Sequence, residues 1–423
     1  MNTNVKSLYR TLWRWHFYAG LYCIPFIILL SLTGMAYLFK PYYEHWQEQS
    51  LHGREILAER ASPNEQIDAA IAVVGGGRFV SYRLPSADHE AVMIRIENGE
   101  HWLVYIDPYT LELLEIRRQN SGLMALVKKI HGELLAGKVG SILVELAACW
   151  AILLVVSGLY LWWPRERRLR GVLWPRFGSG KRLFWRDLHA VTGFWISAFV
   201  LFLLVSGLPW TSVWGGVFKD LRKLADAPPQ QQSWQTGSGP SWQSPPVENY
   251  ALNEAILSTV KNQKLASPVF LSVANEQSQL WKASSQTQNR PLRADLWVEA
   301  SGHLSKRKSF SEKALLDRIV GVGIAAHEGQ LFGVANLILG LLTGTGLIVL
   351  CVSGSVLWWR RRPRGELGAP PVLSGSKRLG LWVILFTLAL LLPVLAASLI
   401  ALLILEWGLL RRIEASRRWL GLV

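Results

Sequence analysis

Charge is scarce in this sequence. Asp, Glu, Lys and Arg make up 18% of its 423 residues, where a soluble globular chain averages about 25%. Low charge beside 50% hydrophobic residues excludes a disordered chain, which needs the reverse balance. Cysteine is scarce as well. Cys23, Cys149 and Cys351 cannot form a disulfide scaffold, and each lies in an apolar run where a thiol packs as a small hydrophobe. No strand–helix nucleotide fingerprint occurs, which sets aside a soluble flavin or nicotinamide dehydrogenase, and Gly75-Gly76-Gly77 reads as a loop. The net charge of +15 is not spread along a solvated face as in a nucleic-acid binder, because the basic residues fall between apolar runs. What remains is an integral membrane protein.

Apolar runs of about 18 residues or more are candidate transmembrane helices. Four are clear: Phe17–Phe39, Ser141–Trp163, Ala190–Trp210 and Leu331–Trp359. A fifth stretch, Leu379–Leu410, is long for one span and short for two, with Pro393 near its middle. It reads as one long or kinked span, with a re-entrant hairpin as the alternative. The first run is too long for a cleaved signal peptide and lacks a small-x-small site.

Lys and Arg beside the spans give the orientation. Segments 1–14, 164–186 and 360–378 hold 17 of the 45 basic residues, against the acids Glu166, Asp187 and Glu366. These segments are expected to be cytoplasmic, and the long polar segments to face the other side. The tail carrying Arg411, Arg412, Arg417 and Arg418 breaks this rule if the fifth stretch crosses once.

The chain contains a tandem duplication. Residues 131–165 laid over 327–361 give 15 identities in 35 positions, including His131/His327, Gly137/Gly333, Ser157-Gly158/Ser353-Gly354 and Trp162-Trp163/Trp358-Trp359. A second match, at offset 173, sets His16-x-x-x-Gly20 and Thr33-Gly34 over His189-x-x-x-Gly193 and Ser206-Gly207. Each half therefore reads span, outer domain, span, and a parallel repeat implies a pseudo-two-fold axis along the membrane normal. The expected order is 1–39 (N-terminus and first span), 40–130 (first outer domain), 131–163 (second span), 164–188 (basic loop), 189–210 (third span), 211–326 (second outer domain), 327–359 (fourth span), 360–378 (basic loop), 379–410 (fifth membrane segment) and 411–423 (tail). The fold class is integral membrane α-helical, with a four-helix core, a fifth C-terminal segment and two small α+β extracytoplasmic domains. In the first domain Asn64–Val74 reads as helix. Phe79–Leu84, Ala91–Glu97, Trp102–Ile106 and Leu111–Arg117 read as strands, with a turn at Asp107-Pro108-Tyr109-Thr110. In the second, Glu248–Lys261 reads as helix and Pro268–Val273, Gln279–Ser284 and Leu292–Val298 as strands, after a linker at Ala227–Pro246.

Four of the nine histidines fall at equivalent ends of the four clear spans. His16 and His189 open the first and third spans on the basic side; His131 and His327 precede the second and fourth on the other. Imidazole is a strong haem-iron ligand, and helical bundles build cofactor sites from facing side chains. One histidine from each of two helices at one depth would give two bis-histidine haems, one per membrane side. Gly20 and Gly193 lie one turn beyond their histidines on the same face, where a missing side chain leaves room for a porphyrin. Gly132 and Gly137 flank His131, and Gly329 and Gly333 follow His327. No Cys-x-x-Cys-His occurs, so both haems would be non-covalent, of b type. Zinc is the weaker choice, because two histidines leave its tetrahedron short of ligands. His131 to Trp163 is about 48 Å as continuous helix, against a hydrocarbon core of about 30 Å, which puts the outer pair at the outer interface. His16 to Lys40, about 36 Å by the same rule, puts the inner pair near the inner interface.

Other features read as structural. The Thr-Gly and Ser-Gly pairs suit close helix packing, and Trp13, Trp15, Trp162, Trp163, Trp358 and Trp359 suit interfacial belts. Glu145 and Glu406, acids within apolar stretches, are candidates for a proton or cofactor role.

Trp15-His16-x-x-x-Gly20, Leu32-Thr33-Gly34, the repeated His … Ser-Gly … Trp-Trp blocks and Tyr105-Ile106-Asp107-Pro108-Tyr109 resemble the PepSY-associated transmembrane proteins. The resemblance covers nearly the whole chain, and the order of its short motifs is specific. That group includes iron-regulated, di-haem ferric-siderophore reductases of the bacterial inner membrane. The resemblance implies PepSY-like outer domains, haem ligation by His16, His131, His189 and His327, and a ferric-siderophore substrate on the periplasmic side. The electron donor is open between quinol and a cytoplasmic flavoprotein reductase. The second outer domain lacks the Asp-Pro-Tyr turn, so it need not share a ligand-binding role with the first. Two other readings stay open: a non-enzymatic membrane regulator that binds peptide or inhibits a protease, and a transporter component.

Overall fold

A computed structural model of the chain describes residues 3–57, 59–163, 171–178, 180–224, 245–370 and 379–422. The linker expected at Ala227–Pro246, except its last two residues, lies outside the described residues, as do Arg165, Arg167, Arg168, Arg170, Lys377 and Arg378. The helices in chain order are α1 (Thr3–Leu38), α2 (Lys40–Glu48), α3 (Pro63–Val73), α4 (Leu123–Glu133), α5 (Gly137–Trp162), α6 (Lys181–Gly207), α7 (Trp214–Leu224), α8 (Glu254–Asn262), α9 (Leu315–His327), α10 (Val334–Arg361), α11 (Leu379–Leu391), α12 (Pro393–Leu405) and α13 (Glu414–Trp419). The strands are β1 (Arg78–Leu84), β2 (Val92–Asn98), β3 (Glu100–Ile106), β4 (Leu113–Arg118), β5 (Val269–Asn275), β6 (Leu280–Ser285), β7 (Ala294–Val298) and β8 (Leu304–Ser309). Two compact units result: Met1–Ala36, Val127–Ser238 and Ile338–Val423 form one, and Tyr37–Leu126 with Gly239–Leu337 the other.

The first unit is the membrane part. Among the described residues five helical segments are long and apolar enough to cross a bilayer: Leu8–Leu38, Gly137–Trp162, Lys181–Trp210, Val334–Arg361 and Pro393–Leu410. The first and third start well before the apolar runs do. Their opening turns carry Trp, Arg and Lys: Arg10, Lys181 and Arg182 are exposed, so their charges reach water, whereas Arg14 is buried. At the same end Arg361 lies over Trp13 (4.7 Å) and Arg362 over Trp359 (3.7 Å).

The helix expected to run unbroken from His131 to Trp163 is interrupted. Leu134 and Leu135 (φ 49° and 60°) and Gly137 (φ 54°) all adopt left-handed backbone, which ends α4 and starts α5 in a new direction. The repeat does the same at Gly329 (φ 73°) and Gly333 (φ 58°), between α9 and α10. His131 and His327 therefore stand in the last turns of two short helices ahead of the spans, and the depth estimated from a continuous helix does not apply.

The fifth stretch is broken at its centre. Leu392 is non-helical (φ −128°, ψ 85°), and Pro393, which has no N–H to donate, opens α12. Helix α11 has 13 residues, about 20 Å and too short to cross alone, whereas α12 continues through a π-helical turn to Leu410. Their junction packs against Cys149, Ile152 and Leu208, and Trp214 Nε1 donates to Leu391 O (3.1 Å). The chain then returns to where it entered. Leu367 N donates to Trp419 O (2.9 Å), Arg14 Nη1 to Pro370 O (2.8 Å), and both Arg14 Nη2 (3.3 Å) and Tyr18 Oη donate to Leu420 O. The stretch is thus a re-entrant hairpin rather than a single crossing. The basic tail joins the end at which α1 begins and α10 stops, and its exception to the charge rule disappears.

The second unit holds one eight-stranded antiparallel sheet in the order β4-β3-β2-β1-β5-β6-β7-β8. The two outer domains expected from the sequence share this sheet. They join through Tyr82↔Leu271, Arg83↔Phe270 and Leu84↔Val269. Strands β1 and β5 are largely buried, and left as edges they would offer unpaired backbone to other chains. Helices α3 and α8 cover one face with a common core that includes Ile67, Phe79, Ile94, Ile256, Leu271 and Trp281. Strand β8 was not anticipated: its sequence LSKRKS has no apolar alternation, as suits a lysine-guarded edge. The Asp107 turn forms as expected, with Oδ1 accepting from Tyr109 N (2.9 Å) and Thr110 N (3.2 Å).

Candidate functional site

The first unit brings His16 and His189 together. They lie near the starts of α1 and α6 and come from different repeats, yet their ring centroids are 6.4 Å apart and the ring planes cross at 89°. Each ring is half-buried and tethered through Nδ1: His16 to Ser157 Oγ at 2.9 Å, and His189 to Ser353 Oγ and Leu350 O at 3.1 Å each. No residue among those described hydrogen-bonds the Nε2 of either ring.

This arrangement can be tested against a metal held between the two rings. With metal–imidazole bonds of about 2 Å and about 1.1 Å from ring centre to nitrogen, two axial imidazoles have centroids about 6 Å apart. The observed 6.4 Å agrees. The ring spacing therefore suits one metal ion held between the two imidazoles.

The glycines around the rings divide the work differently from expectation. A Cβ at Gly20 would meet only Leu154 Cδ2, at 4.0 Å. At Gly193 the space is narrower, with Leu350 Cδ2 at 3.5 Å. The closest approaches are elsewhere. A Cβ at Gly158 would stand 3.1 Å from His16 Cε1, and one at Gly354 3.4 Å from His189 Cε1. The Ser-Gly pairs, read from the sequence as helix packing, are thus the seats of His16 and His189. A usable signal was present: four such pairs accompany four histidines at fixed offsets.

His131 has the same kind of seat. Its Nδ1 lies 3.0 Å from Thr33 Oγ1, and a Cβ at Gly34 would be 3.1 Å from its Cε1. His131 belongs to the first unit and His327 to the second, where it closes α9. Gly137, Gly329 and Gly333 serve the turns after these histidines, and Gly132 lies within α4.

The two intramembrane acids have structural partners. Glu145 Oε2 accepts from Val213 N (2.9 Å) and Oε1 from Trp214 N (3.0 Å), so its carboxylate caps the start of α7. Glu406 pairs with Arg411 (2.8 Å). Asp187, two residues before His189 and fully buried, is held by Arg176 (2.7 and 2.9 Å) and Arg186 (3.1 and 2.8 Å). It fixes the start of the helix that carries His189.

No curated protein matches the chain significantly. The family model of the PepSY-associated TM region matches residues 13–361, a stretch that opens three residues before His16 and closes at the end of α10. The chain therefore belongs to the PepSY-associated transmembrane family.

Proposed function

We propose that the protein is a di-haem reductase of the bacterial inner membrane. In this reading His16 and His189 hold one non-covalent b-type haem and His131 and His327 a second, and the chain passes electrons outward to a ferric siderophore. The observation that carries it is the pair of crossed imidazoles at 6.4 Å, each tethered at Nδ1. Bound haem supplies one-electron transfer, while the protein sets ligands, depth and surroundings. The N-terminus, the basic loops and the tail are assigned to the cytoplasm by the excess of Lys and Arg there. The four repeat-related spans form the core, and the sheet unit faces the periplasm.

The substrate step is simple in electrons. A ferric complex takes up one electron, and Fe(II), a softer ion, leaves the hard oxygen ligands intact for reuse. Quinol at the bilayer edge or a cytoplasmic flavoprotein supplies the reducing equivalents.

Proteoliposomes with reductant enclosed on the basic side and a ferric siderophore on the other test this reading. Expected is Fe(II), trapped by a ferrous chelator outside, at a rate that falls to background in His16→Ala. Siderophore crossing without Fe(II) would indicate a transporter. Protein that takes up no haem would leave a regulator.

A further inference from the structure

We propose that Thr33, Ser157 and Ser353 are positioning residues that fix the tautomer of the histidine each one touches. His131, His16 and His189 then carry their hydrogen on Nδ1 and present an unprotonated Nε2. The use of that Nε2 as a haem ligand rests on the function proposed above; the tautomer assignment does not.

The tautomer follows from where the available hydrogens go. A hydroxyl has one hydrogen to donate and two lone pairs, and a carbonyl can only accept. All three hydroxyls have carbonyls of their own helix within reach. Thr33 Oγ1 donates to Leu29 O (2.8 Å) or Leu30 O (3.3 Å), Ser157 Oγ to Leu154 O (3.2 Å), and Ser353 Oγ to Val349 O (2.6 Å) or Leu350 O (3.2 Å). This back-bonding is the usual fate of a hydroxyl inside an apolar helix. With its hydrogen given to that carbonyl the oxygen can only accept, and the histidine nitrogen beside it is then the donor. His189 gives an independent check. Its Nδ1 also lies 3.1 Å from Leu350 O, which cannot donate. A neutral imidazole with hydrogen on Nδ1 has its lone pair on Nε2, the form that binds metal.

The glycine after each hydroxyl completes the seat. Only a residue without Cβ lets the ring edge from Nδ1 to Cε1 lie against the helix, since a Cβ would come within 3.1 to 3.4 Å of Cε1. Helices α1 and α5 exchange these roles. α1 supplies His16 and the Thr33 seat, and α5 supplies the Ser157 seat, with His131 on the short helix before it. The repeat places Ser353 where Ser157 stands, against His189.

Two measurements on full-length protein in nanodiscs test the proposal. The first is ¹⁵N NMR of histidine-labelled, haem-free protein. Expected is the Nδ1–H form at His16, His131 and His189, with tautomer mixing at His16 in Ser157→Ala and at His131 in Thr33→Val. An Nε2–H form in the wild type overturns the proposal. The second is haem titration with the midpoint potential of each site. Ser157→Ala should bind 10- to 100-fold more weakly at the inner site, with a shifted potential there and an unchanged outer site, and Ser157→Thr should restore both. Equal affinity and potential in Ser157→Ala and wild type overturn the positioning role. Wild-type protein that takes up no haem refutes the proposed function alone, since the NMR result stands by itself.

Discussion

Replacing Gly158 with alanine presses directly on the inner histidine. The new Cβ would stand 3.1 Å from His16 Cε1, where relaxed carbon contacts lie at about 3.5–4.0 Å. The ring must therefore give by a few tenths of an ångström, and the 2.9 Å contact from His16 Nδ1 to Ser157 Oγ tethers it in place. Metal sites tolerate distance errors of about 0.2 Å. The displacement reaches or exceeds that, so haem affinity at this site should fall by about 10- to 100-fold, as when a ligand's supporting partner is lost. Stability should not fall with it, because alanine is favoured over glycine in a helix interior by about 1 kcal/mol. Gly34→Ala should act alike on His131, also at 3.1 Å, and Gly354→Ala should be mildest at 3.4 Å. Soret-band titration of the purified protein beside its thermal unfolding reads both quantities. Wild-type haem affinity in Gly158→Ala and Gly34→Ala would refute the seat.

Three further outcomes follow from the fold. Glu145→Ala should cost about 2 kcal/mol, because two N–H groups at the start of α7 lose a charged acceptor; thermal unfolding should show this while the haem spectrum stays unchanged, and an altered spectrum would mean the acid serves the cofactor. Trp281→Ala, at a fully buried position, should cost about 4 kcal/mol. It should lower amide protection in β1–β4 together with β5–β8, whereas loss confined to β5–β8 would mean that the halves fold separately. Single cysteines at Asn4 and Leu422 should both react with an impermeant thiol reagent from one and the same side of the membrane, and opposite accessibility would restore a single crossing by the last segment.

Local signals in the sequence read well. Apolar runs located four spans, a gapless 15-in-35 match exposed the duplication, and alternation found β1 to β7 within a few residues. Long-range features did not read. The pairing of β1 with β5 joins strands almost two hundred residues apart, and nothing in either strand names its partner. The break at Leu134 and Leu135 uses leucines in left-handed backbone, a conformation their composition argues against. The sequence admits a hairpin at Pro393, and only the contacts of Arg14, Leu367 and Leu420 decide it. At the candidate site the histidines stood out by position. Their serine and threonine partners did not, because a small pair in a membrane helix looks the same whether it packs a helix or seats a ring.

The account turns on His16 and His189 holding one haem between them. Full-length protein expressed with haem supplied, purified, and recorded before and after dithionite tests this most directly. The expected result is a Soret band with reduced α and β bands of six-coordinate b-type haem, two haems per chain in the wild type, and one remaining in both His16→Ala and His189→Ala. Purified wild-type protein without a Soret band, or histidine variants that keep both haems, would contradict it.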